Sequence, residues 1–358
     1  MLKNLRRRVS GTTIAMWIIG FILLVVVIVG VVRTLMIGKY TGADWTDLFV
    51  YGISQGSVYA LIALGYTMVY GILRMINFAH GDIFMAGAFF GYFTAIVFEK
   101  NGFFDSPTVD GKLVLALVVV TLVAAAGAAG LAILLERIAY RPLRRAPRLV
   151  PLITAIGASF FLEYSFLGLF GSGIKGFPEI DALKGRVSIF GVEILKTQVV
   201  VIVASFVMLI ALWLFVQRSK MGKAIQAVSE DKDAAALMGI NVDRSIMITF
   251  LVGGALAGAA GVLYALLFRQ VYFFMGFFPG LKAFTAAVLG GIGNIAGAMV
   301  GGLFLGIAES LFPNLVLDGL GIPAPYQLKD ALAFLLLVLV LIFRPTGILG
   351  ERLATKKA

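Results

Sequence analysis

Apolar residues along this chain gather into long runs separated by short polar stretches. Runs near 16–37, 48–73, 76–98, 113–135, 149–171, 197–216, 245–268 and 327–343 each approach the roughly 20 residues that a helix needs to cross a bilayer. The stretch 277–311 is equally apolar but is broken by Gly290, Gly291 and Gly293. It predicts two short segments, 277–290 and 295–311, that leave and re-enter the same side. The fold class that follows is all-α: a polytopic transmembrane helical bundle of about ten membrane segments, two of them short or broken.

Composition strengthens that reading. The chain is 60% hydrophobic and only 14% charged, against roughly 25% charged residues in a soluble domain. Its mean hydropathy is +1.00. The formal charge of +11 would suit nucleic acid in a soluble protein. Here it fits the Lys/Arg excess of cytoplasmic loops, and no nucleic-acid partner is expected. If the N-terminus is cytoplasmic, 19 of the 30 Lys and Arg residues fall inside and 11, Lys282 among them, fall outside. Both termini are then cytoplasmic. The first run follows Arg6, Arg7 and Arg8 in the manner of a signal peptide, but Ile14 to Ile37 is too long for a signal core. An uncleaved anchor helix is expected.

Several chemistries are excluded. There is no cysteine, and His80 is the single histidine, so neither disulfides nor a multi-histidine metal site is available. Gly222-Lys223 is followed by Ala224, so the phosphate loop with its magnesium-binding hydroxyl is missing. No G-x-S-x-G elbow or H-E-x-x-H helix occurs. The chain is not expected to be an enzyme, and no cofactor is expected in it.

Two polar interruptions carry the candidate chemistry. The first, Gly65 to Asp82, places Arg74, Asn77, His80 and Asp82 between two apolar runs. Its plain reading is a cytoplasmic turn with Asn77 and Asp82 satisfying helix ends. Its functional reading is the mouth of a solute pathway, with Asn77, His80 and Gly81 as turn residues and Gly290, Gly291, Gly293 and Asn294 as a second such turn. The second interruption is the loop Arg218 to Arg244. Within it, Ser229 as N-cap, Glu230 in the first turn, Ala234, Ala235 and Leu237 along the helix and Gly239 at its end predict a two-turn helix over 230–238. A helix so short needs a packing partner. Glycines at i, i+4 (Gly87/Gly91, Gly254/Gly258, Gly293/Gly297, Gly297/Gly301 and Gly302/Gly306) predict close helix seams. The arginines Arg137, Arg141, Arg144, Arg145 and Arg148 predict anchoring to anionic membrane lipid.

The run Tyr59-Ala60-Leu61-Ile62-Ala63-Leu64-Gly65-Tyr66-Thr67-Met68-Val69-Tyr70-Gly71, continuing through Ile76-Asn77-Phe78-Ala79-His80-Gly81-Asp82, resembles the branched-chain amino acid ABC-transporter permeases, the first of their two permease subunits in particular. Glu136 to Arg144, Ile153 to Ser159, Gly222 to Asn241, Phe284 to Gly302 and Phe343 to Gly347 agree. The resemblance covers residues 48–350. It implies an importer in the bacterial cytoplasmic (inner) membrane, with a second permease subunit as heterodimer partner. Two cytoplasmic ATPase subunits would bind ATP and magnesium, and a periplasmic solute-binding protein would deliver an amino acid. Glu230, Ala234, Ala235 and Gly239 then stand where the ATPase-coupling loop belongs. Residues 1–47, with a full spanning helix, depart from the family pattern and form an N-terminal tail plus extra anchor. Residues 351–358 form a cytoplasmic tail.

Three alternatives compete. A permease of the same family for urea or short amides shares every motif. An ion-driven secondary transporter also uses broken helices, but only Glu163 lies clearly within a predicted span and Glu309 sits near an end. A bilayer enzyme lacks a nucleophile–base constellation. Topology is directly testable because the wild type has no cysteine: Lys356→Cys is expected to react with an impermeant maleimide only when the inner face of the membrane is opened.

Overall fold

The computed structural model describes residues 11–144, 146–147, 149–189, 191–344 and 346–350, with side chains from Met16 onward. Arg145, Arg148, the terminal basic residues Lys3, Arg6, Arg7, Arg8, Arg352, Lys356 and Lys357, and the tail 351–358 lie outside the described residues. Twelve α-helices carry the described fold: α1 (Gly11–Ile37), α2 (Gly42–Leu73), α3 (His80–Lys100), α4 (Gly111–Leu135), α5 (Leu149–Phe170), α6 (Lys196–Arg218), α7 (Lys220–Glu230), α8 (Lys232–Leu237), α9 (Val242–Phe268), α10 (Phe277–Gly290), α11 (Ile295–Phe312) and α12 (Lys329–Phe343). Among the described residues, nine helices, counted with the short turns that extend them, are long and apolar enough to cross a membrane. The chain is a polytopic helical membrane bundle.

α2 is the central mast. Tyr59 to Leu64 are essentially inaccessible, and α11 and α9 flank the helix. Lipid tails offer no hydrophobic drive for helix pairing, so close backbone approach must supply it. The α2–α11 seam does so with small residues on both sides. A Cβ on Gly302 would stand 2.5 Å from Ala60 Cα, and one on Gly56 would stand 3.0 Å from Leu303 Cα. Gly306 faces Gly56 and Gly52. Gly254 and Gly258 likewise meet Ala124, Ala128 and Ala132 of α4, and Gly297 and Gly301 meet Gly290 and Ala286 of α10. Gly293 departs from the expected seam. It has open space around it and φ 99°, so it serves the turn after α10.

The outer helices bury much less. α1 leaves Trp17, Phe21 and Leu24 exposed, as a lipid-facing helix should. It docks through Gly30, which faces Val316, and through an ion pair from Lys39 to Asp318 at 2.9 Å.

The pair of segments around 290–294 differs from the sequence expectation. Only α10 is short. At 14 residues it spans about 21 Å, less than the roughly 30 Å hydrocarbon core. α11 continues through Leu317 and is long enough to cross. The two do not make a shallow hairpin. Residues 269–276 approach from the side where β4 (Gln270–Val271) pairs with β1 (Lys175–Gly176) between α5 and α6. The Gly290–Asn294 turn meets residues 348–349 just past α12, where Ile348 N donates to Leu289 O at 2.8 Å and Leu349 N to Gly290 O at 3.0 Å. The crossing is therefore an extended lead followed by a half-helix. A second short hairpin, β2 (Arg186–Ile189) with β3 (Val192–Leu195), precedes α6.

The half-helix is pinned by charge. Sequence pattern put Lys282 among the outer loop lysines; the structure buries it to 4% exposure. Its ammonium pairs with Glu309 of α11 and lies 2.5 Å from Asp330 Oδ1 of α12. It also donates to Tyr59 OH of α2 at 3.4 Å. Gln55 Nε2 donates to the same hydroxyl at 2.5 Å. A charge at this depth persists only when paired.

Two stability outcomes follow. Gly302→Val should lower the thermal midpoint of the detergent-solubilised protein by an amount matching about 1–3 kcal/mol of overpacking. Gly157→Ala, with nothing within 4 Å of its added Cβ, should leave the midpoint unchanged. Lys282→Met should cost about 3–5 kcal/mol by stranding a buried carboxylate. Adding Glu309→Gln and Asp330→Asn should return most of that loss in the same melting assay.

Candidate functional site

Two helices break at corresponding places. α2 ends at Arg74 with φ 54°, and α9 ends at Arg269 with φ 57°. Left-handed backbone is uncommon outside glycine, yet here it closes both helices, the arginine N–H bonding to Tyr70 O and to Ala265 O respectively at 2.8 Å. Each arginine is followed by an irregular lead that ends, at the same offset, on a glycine: Gly81 and Gly276. The two glycines touch. A Cβ on Gly81 would lie 2.6 Å from Gly276 O. α3 and α10 start from that contact. Because α2 and α9 run in opposite directions, the two breaks are related as in an inverted repeat.

The lead 74–79 does not form the solvent turn that the polar residues suggested. It folds back into the bundle, so that His80 packs edge-on against Tyr66 at 4.7 Å between ring centroids, about two helical turns inside the end of α2. Asn77, His80 and Asp82 are each 2% exposed. Nor do Asn77 and Asp82 cap a helix. The N-cap of α3 is Ala79, which offers no side-chain bond. Asn77 Oδ1 instead accepts from Tyr140 OH at 2.6 Å, and Asp82 Oδ2 accepts from Ser159 Oγ at 2.5 Å.

A cavity of about 270 Å³ opens where these elements meet. Its apolar wall is Phe78, Ile156, Phe160, Phe277 and Leu281; its polar points are Tyr66, Asp82 and Ser159; its floor is backbone at Gly81, Gly276 and Gly280. α3 and the half-helix α10 both begin at it, where unpaired N–H groups and the helix dipole favour negative charge. The same elements carry buried side-chain atoms without a partner: Thr67 Oγ1 on α2, Asn77 Nδ2 in the lead, His80 Nε2 at the start of α3 and Glu163 Oε1 on α5. Such groups are rare in a folded interior and mark a place where something else is bound or where the chain moves.

Of the two turns singled out in the sequence, one reaches the cavity. Gly81 lines it, and Asn77 and His80 support that lining. Gly290, Gly291, Gly293 and Asn294 do not line it. Their turn is closed on the C-terminal segment, with Asn294 Nδ2 donating to Leu349 O at 2.9 Å and Asn294 Oδ1 capping α11 at Gly297 N. The true counterpart of the Gly81 turn is Gly276–Gly280. The arginine–glycine offset shared with Arg74 and Gly81, together with Pro279 in the first turn of α10, is the signal that could have found it.

On the face where α2 and α6 end, the loop helix is shifted from its predicted bounds. Glu230 closes α7 rather than opening a helix, and α8 starts at Lys232. Asp231, not Ser229, is the N-cap. Its carboxylate accepts from Asp233 N at 2.9 Å and Ala234 N at 3.0 Å, a charge-assisted bond that outcompetes a hydroxyl. Ser229 Oγ turns back to Gln226 O at 2.7 Å. Gly239 takes φ 83°, the left-handed exit that glycine allows. Ala235 packs inward, whereas Ala234 is exposed and Leu237 and Met238 are 89% and 81% exposed.

This segment joins the break of α2. Arg74 Nη2 donates to Ser229 O at 3.0 Å. Lys232 sits beside the same cluster: partial desolvation, then the Arg144 and Arg74 guanidiniums, pull its ammonium below the usual lysine range. Arg144 itself bridges Glu136 and Asp243, and Arg141 pairs with Asp243 at 2.8 Å. Two of the five arginines expected to meet lipid are thus engaged within the chain.

Comparison with known proteins agrees with this architecture. Residues 48–341 match the family described as branched-chain amino acid transport system / permease component. The chain is 44% identical to the high-affinity branched-chain amino acid transport system permease protein BraD of Pseudomonas aeruginosa, over 84% of this chain and 94% of that one. It is 43% identical to the corresponding protein LivH of Escherichia coli K12, again over 84% and 94%. To the probable branched-chain amino acid transport permease protein LivH of Methanocaldococcus jannaschii it is 25% identical over 83% and 90%. No solved structure matches the chain. With a family match over most of its length and two relatives above 40% identity, the chain belongs to the permease-component family of the branched-chain amino acid transport systems.

Proposed function

We propose that this permease forms half of the pathway of an ATP-driven importer for branched-chain amino acids in the bacterial inner membrane. Both termini face the cytoplasm, a second permease subunit completes the bundle, a periplasmic binding protein delivers the solute, and two ATPase subunits carry ATP and magnesium. The observation that carries the substrate reading is the cavity between α3, α5 and α10. Its wall of Phe78, Ile156, Phe160, Phe277 and Leu281 suits an aliphatic side chain. The opposed starts of α3 and α10 suit a small polar head, with the N-terminus of α10 placed to hold a carboxylate. Urea would leave that wall unmatched.

α8 is the element we assign to the ATPase groove. Six residues do not hold a helix in water, and capping by Asp231 with a left-handed Gly239 defines its ends. Leu237 and Met238 then project from it as exposed apolar side chains, suited to a groove on a partner. Motion there has a short route inward. α7 leads directly into α8, the Ser229 carbonyl near the end of α7 holds Arg74, and Arg74 begins the lead that ends at the cavity.

Three outcomes test the reading. A deletion strain carrying the complex should regain uptake of labelled leucine and not of labelled urea; the reverse pattern would select the amide reading. Leu237→Asp with Met238→Asp should insert normally but no longer co-purify with the ATPase. Gly239→Val, which forces a branched side chain toward left-handed backbone at about 1–3 kcal/mol, should retain the ATPase while lowering leucine imported per ATP hydrolysed. Full uptake and normal ATPase capture with all three changes would remove α8 from the coupling role.

A further inference from the structure

The bundle buries four carboxylate side chains: Asp82, Glu136, Glu163 and Glu309. Two have a cation. Glu136 meets Arg144, and Glu309 meets Lys282. The other two, Asp82 and Glu163, form no ion pair among the described residues. Those two are neighbours, and Asp82 lines the cavity. Among the described residues, the buried carboxylates Glu136 and Glu309 meet a cation, and the pair that includes the cavity-lining Asp82 does not.

The geometry points to Asp82 and Glu163 as the subsite for the α-ammonium of the transported zwitterion. This rests on the amino-acid reading above and adds to it the residues that recognise the amine. Ser159 and Glu163 are one turn apart on the same face of α5, and both face the start of α3. The Ser159 hydroxyl occupies Asp82 Oδ2 at 2.5 Å, which orients the Asp82 carboxyl. Glu163 Oε1 is buried without a partner. A primary ammonium has three N–H donors and no acceptor; two carboxyls without a cation offer it the acceptors it needs in a place from which water is largely excluded. The amine end and the aliphatic wall then belong to one cavity, and the α10 N-terminus remains for the carboxylate. A neutral amide provides no charge for this pair.

The test uses the naturally cysteine-free chain in its assembled complex. Ile156, on the cavity wall and not itself part of the carboxyl pair, is changed to Cys. Its modification rates by a cationic and an anionic methanethiosulfonate of similar size are compared. The expected result is a preference for the cation of about tenfold, lost when Glu163→Gln and Asp82→Asn are added, and slowing of both rates when leucine, its binding protein and ATP are supplied. In parallel, Glu163→Gln alone and Asp82→Asn alone should each raise the leucine KM of uptake by at least about tenfold, with the amount of assembled complex measured on the same membranes. Equal rates for the two charges, a preference that survives the double change, or an unchanged KM in both single variants would overturn the subsite. Should Asp82→Asn fail to assemble, the charge preference in the Ile156→Cys background and its loss in Glu163→Gln decide the matter. A wild-type complex that imports no branched-chain amino acid overturns the functional reading; a retained, carboxyl-dependent cation preference in that same complex would still locate a cationic subsite.

Discussion

A polypeptide can abandon helical geometry inside a bilayer only where protein takes up the backbone groups it frees. That constraint organises this molecule. The two leads, 74–79 and 270–276, run irregularly through the bundle, and other parts of the chain take up their polar groups: Tyr140 bonds Asn77, and β1 pairs with Gln270–Val271. The closeness of Gly81 to Gly276 is what brings the two breaks together. It lets α3 and α10 begin at one point, and it creates a cavity whose floor is backbone. The glycine seams elsewhere serve the same end: α2 must be held tightly against α11 and α9 if its interruption is not to expose polar groups to lipid.

Charge inside the bundle falls into two kinds, and the difference is informative. Lys282 joins α2, α10, α11 and α12 through Tyr59, Glu309 and Asp330, so it fixes the half-helix on the side turned away from the cavity. Gly276, Phe277, Gly280 and Leu281 occupy the cavity side of the same short helix. The ion cluster therefore positions the wall without touching what the wall encloses. Asp82 and Glu163 have the opposite character. They are just as buried, yet Asp82 meets the Ser159 hydroxyl rather than a cation, and Glu163 forms no ion pair among the described residues. A fold that could place Arg144 against Glu136 had the means to neutralise them, and their lack of a cation is a property of the cavity, not of burial as such.

Much of this was legible in the chain. The runs of apolar residues located every membrane helix closely because length and hydropathy leave lipid few alternatives. The glycine pairs Gly254/Gly258 and Gly302/Gly306 marked real seams for the same reason. Polar punctuation was less readable. Asn77 and Asp82 are good capping residues, and nothing local says that the segment turns inward; that is decided by Tyr140 and Ser159, far away in sequence. Lys282 counted as an outer lysine because a charge tally cannot see Glu309 and Asp330 converging on it. The start of α8 moved by two residues because Asp231 outcompetes Ser229 as a cap. The Gly290–Asn294 turn misled for a similar reason. Gly291 and Gly293 answer to positive φ, and Gly291 also to the approach of residues 349–350.

The paired breaks also set how motion can reach the cavity. Arg74 and Arg269 close α2 and α9 at opposite ends of the bundle, and each is tied to its own face: Arg74 to the Ser229 carbonyl, and Arg269 to Glu179 at 2.6 Å. Glu179 is held ionised below the ordinary carboxylate range by Lys184 and Arg269, so this second tie consists of surface charges that water can replace. Surface pairs contribute little to stability, which makes them easy to break and remake. Each face thus holds one end of a lead by a weak polar contact, while the other end of the lead is locked at the Gly81–Gly276 contact. The two leads are thus held alike, each by an arginine in left-handed backbone at its own face and by the shared glycine contact at its other end.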